Sequence, residues 1–438
     1  MSSGPWAGRR LHFVGIGGAG MSGLALIARR LGADVTGSDQ KTSPYLEPLR
    51  AVGVEPLIGH SAENVPAGAE VVYSSAVAAD NPERAAGSAP LHRSQLLAQI
   101  ATLKRCIAVS GTHGKTTTTG MIAHVLRGCG MDPAYVIGGA LQDTGLNADW
   151  GAGEWIVIEA DESDRSLLNY APQIAVLTNA ELDHHSTYTS RLDLDQTFAR
   201  FAAAAEYAVV WDRPELLRIA DGAGHVVAYD APVTRPSTRG TRFDWRGREV
   251  TLSVPGVHNA VNAAGALTAA VLAGADPTQA VAAIATFHGA RRRLERLGER
   301  YDGVLIYDDY AHHPTEVGAA IAGARELGTR RVVVVFQPHL YSRTRALARD
   351  FGVMLATADL CAVVDVYPAR ELAADFPGVS GRLIAAAAAD AGAGREVAWT
   401  PTLGDAQRWL EAKLRPGDLC LVMGAGDVDA LGRSLLAR

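Results

Sequence analysis

Residues 105–119 read RCIAVSGTHGKTTTT: an apolar strand, a glycine-rich turn and the first residues of a helix. Backbone N–H groups in such a turn can surround the phosphates of a nucleotide. The ammonium of Lys115 would reach the β and γ phosphates, and the hydroxyl of Thr116 would bind Mg²⁺. Val109 occupies the position where a general P-loop has its first glycine. The segment therefore predicts a variant P-loop, and the simpler alternative is a Gly-Lys-Thr helix start that binds nothing.

The rarity of lysine in this chain strengthens the P-loop prediction. Among 41 basic residues, only Lys41, Lys104, Lys115 and Lys413 are lysine. A compact ammonium fits between phosphate groups where the planar guanidinium of arginine does not. Lysine at position 115 of an arginine-rich chain therefore favours phosphate binding there.

Strand-like and helix-like segments alternate on both sides of this turn, which is typical of parallel sheets with crossover helices. We predict an α/β fold with three domains. These are a Rossmann-like domain over residues 1–102, a central P-loop domain with a parallel sheet over 103–298, and a doubly wound Rossmann-like domain over 299–438. Residues 230–254 indicate a loop and a small antiparallel hairpin, and the basic run at 291–296 marks the second boundary.

A second glycine-rich turn, GIGGAG at residues 15–20, follows a strand-like run at 11–16 and opens a helix. Its glycines would let phosphate oxygens approach backbone N–H groups at the positive end of that helix. Asp39, at the end of the next strand, could accept a hydrogen bond from a ribose hydroxyl. The pattern alone favours a nucleoside diphosphate, with NAD as the default ligand. The alternative is a turn that serves only to pack the strand against the helix.

Two polar segments follow predicted strands of the central domain. Residues 159–164 read EADESD after the strand at 155–158, and residues 179–185 read NAELDHH after the strand at 174–177. Parallel strands bring their carboxyl ends to the edge where the P-loop emerges. Carboxylates gathered there would repel one another without a cation, so we predict a divalent metal site completed by a histidine, with Mn²⁺ able to replace Mg²⁺. Either segment alone could be a solvated surface loop.

Composition excludes several other classes of protein. The 438 residues, 48% hydrophobic and 20% charged, are typical of globular proteins. A net charge of −6 provides no positive field for nucleic acid, and no apolar run reaches the roughly 18 residues of a membrane span. Four separated cysteines without a C-x-x-C pair are typical of buried thiols in a reducing compartment. We expect a cytoplasmic protein, a monomer or a homodimer, that binds no nucleic acid.

Several strings occur in one order along the chain: GTHGKTTTT (111–119), ADESD (160–164), the histidine after Asp183, HN (258–259) with Asn262, RRLE (292–295) and DDYAHHPTE (308–316). In these strings, which span all three predicted domains, the chain resembles the Mur amide ligases of peptidoglycan synthesis. His113 in the P-loop, GIGGAGMSGLA at 15–25 and HHPTE at 312–316 are similar to the alanine-adding member rather than the later ligases. A close relative that ligates recycled tripeptide shares the histidine and is the nearest alternative.

The resemblance implies substrates and site residues. UDP-N-acetylmuramate, rather than NAD, would bind the first domain through Gly17, Gly18, Ala19, Gly20, Asp39, Ser74 and Ser75. ATP would bind the P-loop residues Gly111, Thr112, His113, Gly114, Lys115, Thr116 and Thr117, and also Asn259, Asn262, Arg292, Arg293 and Asp309. Thr116 would bind one Mg²⁺, and Glu162 and His184 would bind a second metal ion. L-alanine would lie among Tyr310, His312 and Arg343. The implied catalytic residues are Lys115, Glu162, His184 and His312.

His312 has two possible roles under this resemblance. It is a candidate proton acceptor from the alanine ammonium, or it orients Tyr310. Residues 337–344, QPHLYSRT, have Leu340 where the family usually has arginine, so half of a carboxylate clamp for the amino acid is missing. No lysine occurs between His184 and Lys413, which removes the carbamylated lysine of several later ligases.

Two functions from other classes stay open at this point. One is an NAD-dependent oxidoreductase that uses the turn at residues 15–20. The other is a P-loop ATPase or regulatory module without ligase activity. The first leaves the P-loop and the metal cluster unexplained, and the second would turn over ATP without regard to a sugar nucleotide.

Overall fold

The computed structural model describes residues 4–184, 187–230, 232–237, 240–300 and 302–437. The chain forms two compact units. The first contains Met1–Ala231 and Val261–His288, and the second contains Pro232–Ala260 and Gly289–Arg438. Both are built from alternating strands and helices, which confirms the predicted α/β class.

The first unit begins with a parallel sheet and its helices. The elements are β1 (Arg10–Val14), α1 (Ala19–Arg30), β2 (Asp34–Asp39), α2 (Glu47–Ala51), β3 (Leu57–Ile58), β4 (Glu70–Tyr73), α3 (Pro82–Ala86), β5 (Ala89–His92) and α4 (Arg93–Ala101). The strand order is β3-β2-β1-β4-β5, the arrangement of a Rossmann-like sheet. Leu11, Phe13 and Ile27 are fully buried in its core.

The glycine turn after β1 explains where this strand ends. The strand stops at Val14, two residues before the end of the predicted run 11–16, because Gly15 turns the chain with a φ of +76°. The N–H groups of Gly15 and Ile16 both donate to the carbonyl of Ser38 in β2, at 2.8 and 2.9 Å. The turn is therefore held next to the carboxyl end of β2, where Asp39 lies.

A seven-stranded sheet and its helices form the first unit's next part along the chain. Its elements are β6 (Arg105–Ser110), α5 (Lys115–Gly128), β7 (Ala134–Val136), β8 (Ala148–Asp149), β9 (Trp155–Glu159), β10 (Ile174–Leu177), α6 (Arg191–Ala203), β11 (Tyr207–Trp211), α7 (Pro214–Ala220) and β12 (His225–Tyr229). The strand order is β12-β11-β10-β6-β9-β7-β8, and only β8 is antiparallel to its neighbour. Because β9 and β10 flank β6, the loops after all three strands leave the same edge.

The second unit contains two sheets. The first is antiparallel, as the sequence of residues 230–254 predicts, with β13 (Arg235–Ser237), β14 (Gly240–Trp245) and β15 (Arg248–Leu252). The helices α8 (Val257–Leu272) and α9 (Pro277–Ile284) follow along the chain, and their residues from Val261 onwards belong to the first unit. The second sheet contains β16 (Glu295–Glu299), β17 (Leu305–Asp309), α10 (Pro314–Glu326), β18 (Arg331–Phe336), α11 (Tyr341–Leu355), β19 (Leu360–Val363), α12 (Gly381–Ala391), β20 (Val397–Trp399), α13 (Leu403–Lys413), β21 (Asp418–Met423) and α14 (Asp429–Leu436).

The second sheet of this unit is doubly wound. Its order is β16-β17-β21-β18-β19-β20, with only β16 antiparallel. Alternate residues of β18 face different cores, so Val332 and Val334 belong to one buried cluster and Val333 and Val335 to the other. The predicted boundary after residue 298 falls inside β16. The continuous segment of the second unit that contains β16 begins at Gly289. The ranges of the three domains stay a prediction.

Two further expectations concern thiols and membranes. Cys106, Cys361 and Cys420 are buried, Cys129 is half-buried, and all four thiols are free. Within the part of the chain that the structure describes, every helix is too short or too polar to cross a lipid bilayer.

Candidate active site

The turn between β6 and α5 requires glycine at two positions. Gly111 has a φ of +132°, and Gly114, at the N-cap of α5, has a φ of +80°. A Cβ atom at Gly111 would lie 2.2 Å from Oγ1 of Thr178, and one at Gly114 would lie 2.6 Å from Oδ1 of Asn262. The turn therefore packs closely against its neighbours. It leads into a helix start whose first N–H groups lack intrahelical partners, the feature that allows phosphate binding.

The loop after β10 holds the P-loop backbone in place. The Asn179 side chain accepts a hydrogen bond from the N–H of His113 and donates one to the His113 carbonyl, both at 2.9 Å. Oγ1 of Thr178 donates to the same carbonyl at 2.6 Å. Oγ1 of Thr112 donates to the carbonyl of Glu181 at 2.7 Å. Asn179 is absent from the predicted site residues. An amide side chain just after β10, the strand that pairs with β6, is the sequence feature that could have identified it.

We expect Asn179→Ala to destabilise the protein by about 1 to 3 kcal/mol and to weaken nucleotide binding, because the buried N–H of His113 loses its partner and the His113 carbonyl keeps only Thr178. Urea unfolding and titration with a fluorescent ATP analogue measure the two effects. Asn169→Ala is the matched control, since the amide of Asn169 makes a single hydrogen bond, to Oγ of Ser94 at 2.8 Å. Equal losses of nucleotide affinity in both variants would contradict this role of Asn179.

Lys115, Glu162 and His184 come together at this edge of the sheet. Nζ of Lys115 lies 3.0 and 2.8 Å from the two carboxylate oxygens of Glu162, and it donates to the carbonyl of Gly111 at 2.7 Å. Nε2 of His184 lies 3.1 Å from Oε1 of Glu162. Burial alone would lower the pKa of Lys115, but the surrounding carboxylates, Glu162 first among them, outweigh burial and raise the pKa. The lysine is therefore a fixed positive charge beside the buried Glu162.

The His184 loop is tied to the loop that carries Glu162. His184 has a φ of +54°, and its carbonyl accepts from the N–H groups of Thr187 and Tyr188, at 2.7 and 3.0 Å. The hydroxyl of Tyr188 donates to the Glu162 carbonyl at 2.6 Å. Tyr188 thus connects both loops, and no sequence pattern indicates this role. His185, the second histidine of the predicted pair, lies outside the described residues.

A pair of side-chain oxygen atoms that could bind a metal lies beside the P-loop. Oγ1 of Thr116 donates to Oε1 of Glu159 at 3.2 Å, and Oε2 of Glu159 accepts from the N–H of Gly138 at 2.8 Å. Glu159 belongs to the acidic string of the sequence but was not selected as a metal ligand. Its position at the last residue of β9 brings it to the Thr116 hydroxyl.

Protein cations neutralise the other carboxylates of the acidic loop. Nη2 of Arg93 lies 2.6 Å from Oδ2 of Asp161 and 3.7 Å from Oδ2 of Asp164. Burial alone would raise the pKa of Asp161, but Arg93 and then Lys115 more than reverse this and hold the pKa well below its usual range. The expected repulsion among these carboxylates is thus relieved partly by Arg93, which the sequence did not indicate.

The predicted sugar-nucleotide residues lie around the first glycine turn. The N–H of Gly17 donates to Oδ2 of Asp39 at 2.8 Å, and Oγ of Ser43 donates to the Gly17 carbonyl at 2.7 Å. Gly18 is the N-cap of α1, which begins with Ala19 and Gly20. Ser74 and Ser75 follow β4, and Oγ of Ser75 donates to Oδ2 of Asp164 at 2.7 Å. Their assignment to UDP stays a prediction.

The two predicted asparagines of α8 are both buried. Asn262 lies against Gly114 of the P-loop. Nδ2 of Asn259 donates to the carbonyl of Pro255 at 2.7 Å. The role of both residues at the adenine stays a prediction.

In the second unit, Arg292 is engaged with the backbone and with a buried carboxylate. It donates to the carbonyls of Gly424 and Gly426 at 2.7 and 3.3 Å, and to Oδ2 of Asp308 at 3.1 Å. Nη1 of Arg293 lies 3.4 Å from Oε1 of Glu316. These contacts join Arg292 to β17 and to the segment that follows β21, and its contact with phosphate stays a prediction.

Asp309, at the end of β17, holds the backbone of two loops. Its carboxylate accepts from the N–H groups of Leu294 and Ala311, both at 2.7 Å. Burial raises the pKa of Asp309 to about 6, partly opposed by Arg293. The residue has a structural role in addition to the predicted contact with the nucleotide ribose.

The neighbouring Asp308 gives a test of pH dependence. Burial raises the pKa of Asp308 to about 7, partly opposed by Arg292. The folded state therefore holds a proton that the unfolded chain releases near pH 4, so rising pH between about 4 and 7 destabilises the fold. We expect the free energy of unfolding of wild type to fall relative to Asp308→Asn over this range, by at most about 1.4 kcal/mol per unit of pKa difference. Urea unfolding at three pH values measures it, and parallel curves would refute it.

Aromatic rings surround the residues of the second unit that are predicted to bind L-alanine. Nδ1 of His312 lies 2.9 Å from the carbonyl of Tyr310, and the two rings meet edge to face. His339 stacks on Tyr367 and lies 3.4 Å from Nη1 of Arg343. The rings of His312 and His339 are 6.1 Å apart, so His339, which is absent from the predicted site residues, joins Tyr310 and His312 to Arg343. Leu340, at the position of the missing arginine, is buried with a φ of +70°.

Family models match three successive parts of the chain. The model described as Mur ligase family, catalytic domain, matches residues 10–105, and the Mur ligase middle domain matches 109–270. The Mur ligase, glutamate ligase domain, matches 292–426.

Individual relatives extend this similarity over nearly the whole chain. A UDP-N-acetylmuramate–L-alanine ligase of Gloeobacter violaceus is 44% identical, covering 98% of this chain and 95% of that protein. The solved structure of the UDP-N-acetylmuramate-alanine ligase MurC of Thermotoga maritima has a TM-score of 0.83 at 27% identity and 98% coverage of both chains. A murein peptide ligase of Psychrobacter arcticus has a TM-score of 0.72 at 26% identity, also with 98% coverage of both. With matching family models along its length and a relative of this identity, the chain belongs to the Mur ligase family.

Proposed function

We propose that this chain is an ATP-dependent ligase that joins L-alanine to the lactyl carboxylate of UDP-N-acetylmuramate. The observation that carries the proposal is the grouping of Lys115, Glu162 and His184 at the strand ends beside the P-loop turn. The names of the Gloeobacter and Thermotoga proteins support the alanine-adding reaction. The murein peptide ligase has the lower TM-score, so ligation of a recycled peptide is not favoured.

The donor atoms at this edge fit a divalent cation. Neighbouring ligands of an octahedral Mg²⁺, each about 2.1 Å from the ion, lie about 3 Å apart. Nε2 of His184 and Oε1 of Glu162 are 3.1 Å apart, and Oγ1 of Thr116 and Oε1 of Glu159 are 3.2 Å apart. Thr116 would hold one ion as predicted, with Glu159 as an additional ligand. Glu162 and His184 would hold the second ion, and Mn²⁺ suits the imidazole. Bound there, the ions would supply positive charge to the phosphate oxygens of ATP.

The proposed reaction has two steps. The lactyl carboxylate attacks the γ-phosphorus of ATP, the bond to the β-phosphate oxygen breaks, and an acyl phosphate and ADP form. The free amine of L-alanine then attacks the acyl carbon and expels phosphate as the amide forms, losing one proton to a base. Negative charge builds first on the phosphoryl oxygens and then on the carbonyl oxygen. Lys115 and the N–H groups at the start of α5 would stabilise the first of these charges.

The alanine would bind in the second unit, near Tyr310, His312 and Arg343. The guanidinium of Arg343, only 5% exposed, would pair with the carboxylate of the amino acid. His312 would accept the ammonium proton or orient Tyr310, and the short contact of its Nδ1 with the Tyr310 carbonyl supports the second role. Leu340 cannot contribute a second guanidinium, so the carboxylate would depend on Arg343 and on neighbouring donors.

Phosphate release measured with ATP, UDP-N-acetylmuramate and L-alanine together, and with each one omitted, tests this function. We expect release only when all three are present, with ADP as the other product. AMP and pyrophosphate would exclude the acyl-phosphate route. Activity with tripeptide in place of alanine would favour the recycling ligase, turnover unaffected by the sugar nucleotide would indicate a simple ATPase, and tight NADH binding would indicate an oxidoreductase.

A further inference from the structure

We propose that Arg93 is a positioning residue that holds the metal-binding carboxylate Glu162 in place from the side of the first sheet. Arg93 does not contact Glu162. Its guanidinium instead pairs with Asp161 and lies near Asp164, the carboxylates on either side of Glu162 along the loop. The inference rests on the proposed function, because it assigns Arg93 to the metal site of that reaction.

The backbone at Arg93 is rigidly placed. Arg93 is the first residue of α4, and His92 caps this helix, with a reciprocal contact between the His92 N–H and Oε1 of Gln95 at 2.9 Å. Arg93 is 21% exposed, and its Nη1 lies 3.8 Å from the position that a Cβ of Gly20 would occupy. The guanidinium is therefore located between the first glycine turn and the acidic loop after β9.

The acidic loop is held from both sides through its two aspartates. Oδ1 of Asp161 accepts from the N–H of Ser163 at 2.9 Å, and Oδ1 of Asp164 accepts from the N–H of Ser166 at 3.0 Å. These bonds shape the loop locally and leave the Oδ2 atoms for other partners. Oδ2 of Asp161 receives Arg93, and Oδ2 of Asp164 receives the hydroxyl of Ser75 at 2.7 Å.

Arg93 also determines which charges act on Lys115. Arg93 and Lys115 are the two cations described above that act on Asp161. Without the guanidinium of Arg93, Lys115 alone of these two would balance the negative charge of Asp161. Lys115 would then be drawn away from Glu162 and from the phosphates that it is proposed to contact. Loss of Arg93 would thus displace Glu162, which weakens the metal site, and would redirect Lys115 away from the phosphates, which weakens nucleotide binding. Residues that orient metal ligands typically change metal affinity or activity by about 10- to 100-fold when they are replaced.

Binding of Mn²⁺, followed by electron paramagnetic resonance of the free ion, tests the inference without turnover. The titration is made on the full chain with a saturating non-hydrolysable ATP analogue and no sugar nucleotide. We expect Arg93→Ala to weaken Mn²⁺ binding by about 10-fold or more and Arg93→Lys to recover part of the loss, because lysine can pair with one carboxylate. In turnover, the Mg²⁺ concentration for half-maximal rate should rise by the same factor while the KM for L-alanine is unchanged.

Arg9→Ala is the matched control. Arg9 also pairs with a carboxylate, that of Glu70, through two hydrogen bonds at 2.7 and 2.8 Å, and it is 20% exposed. It directly precedes β1, at the end of that strand opposite to the glycine turn. We expect its Mn²⁺ affinity to equal that of wild type. If Arg93→Ala does not fold, Ser75→Ala removes the neighbouring hydrogen bond to Asp164 from an exposed position, and a weakening of a few-fold is expected.

The inference would be overturned if the Mn²⁺ affinity of Arg93→Ala were within twofold of that of wild type. If Ser75→Ala is needed instead, the same result in that variant would overturn it. A loss of equal size in Arg9→Ala would also overturn it. Failure of the proposed function is distinguishable, because it shows in wild type as phosphate release that does not require the sugar nucleotide and L-alanine. Wild-type ligase activity together with unchanged Mn²⁺ binding in the variants refutes the role of Arg93 alone.

Discussion

A Lys115→Met variant is expected to lose at least about 100-fold in kcat, the loss typical of removing one group that acts on charge developing in a transition state. Nζ of Lys115 lies between the P-loop carbonyl of Gly111 and the carboxylate of Glu162, and nearby carboxylates raise its pKa. It is therefore charged throughout the neutral pH range. Methionine has a similar length and fills the same space without the charge.

Lys115→Arg separates charge from shape in the same position. We expect it to remain strongly impaired, because a planar guanidinium cannot replace a compact ammonium between phosphates. Lys413→Met is the control, since Lys413 also contacts a glutamate, Glu396 at 2.9 Å, but on α13 of the second unit. Phosphate release with all three substrates measures kcat, and urea unfolding verifies that each variant is folded. A near-normal rate in folded Lys115→Met would remove this lysine from the reaction.

Local sequence patterns were sufficient to predict most of the fold. The bounds of β10 and β21, Ile174–Leu177 and Asp418–Met423, coincide with apolar runs between turn-forming residues. In contrast, β16 has the sequence ERLGE, without an apolar alternation, because it is an antiparallel edge strand that relies on pairing with β17. A strand that forms through a partner distant in sequence leaves little local signal.

The same distinction applies to the candidate site. Lys115, Thr116, Glu162 and His184 lie in recognisable strings directly after strands, and parallel topology brings such strings together. The pairing of Arg93 with Asp161 joins residues 68 positions apart, and nothing in either string indicates it. Asn179 and Tyr188 act through backbone atoms of other loops, so their roles depend on three-dimensional contacts that the sequence alone does not contain.

Gly111→Ala is expected to be the most damaging change in the P-loop that introduces no charge. The φ of +132° at Gly111 lies in a region that alanine rarely adopts, and the added Cβ would lie 2.2 Å from Oγ1 of Thr178 and 2.9 Å from the carbonyl oxygen of Asn179. Backbone strain costs about 1 to 3 kcal/mol, and overpacking costs a similar amount. We therefore expect a loss of about 2 to 6 kcal/mol in the free energy of unfolding.

Gly130→Ala provides the matched control for this substitution. Gly130 lies just beyond the other end of α5 with a φ of +73°, and a Cβ atom there would meet nothing within 4 Å. It should therefore cost only the backbone strain and leave nucleotide affinity unchanged. Gly111→Ala should lose affinity for a fluorescent ATP analogue as well, because relieving the clash must move either the turn or the Thr178–Asn179 segment that fixes His113. Equal stability and equal nucleotide affinity in the two variants would show that the close packing of the turn contributes nothing to the site.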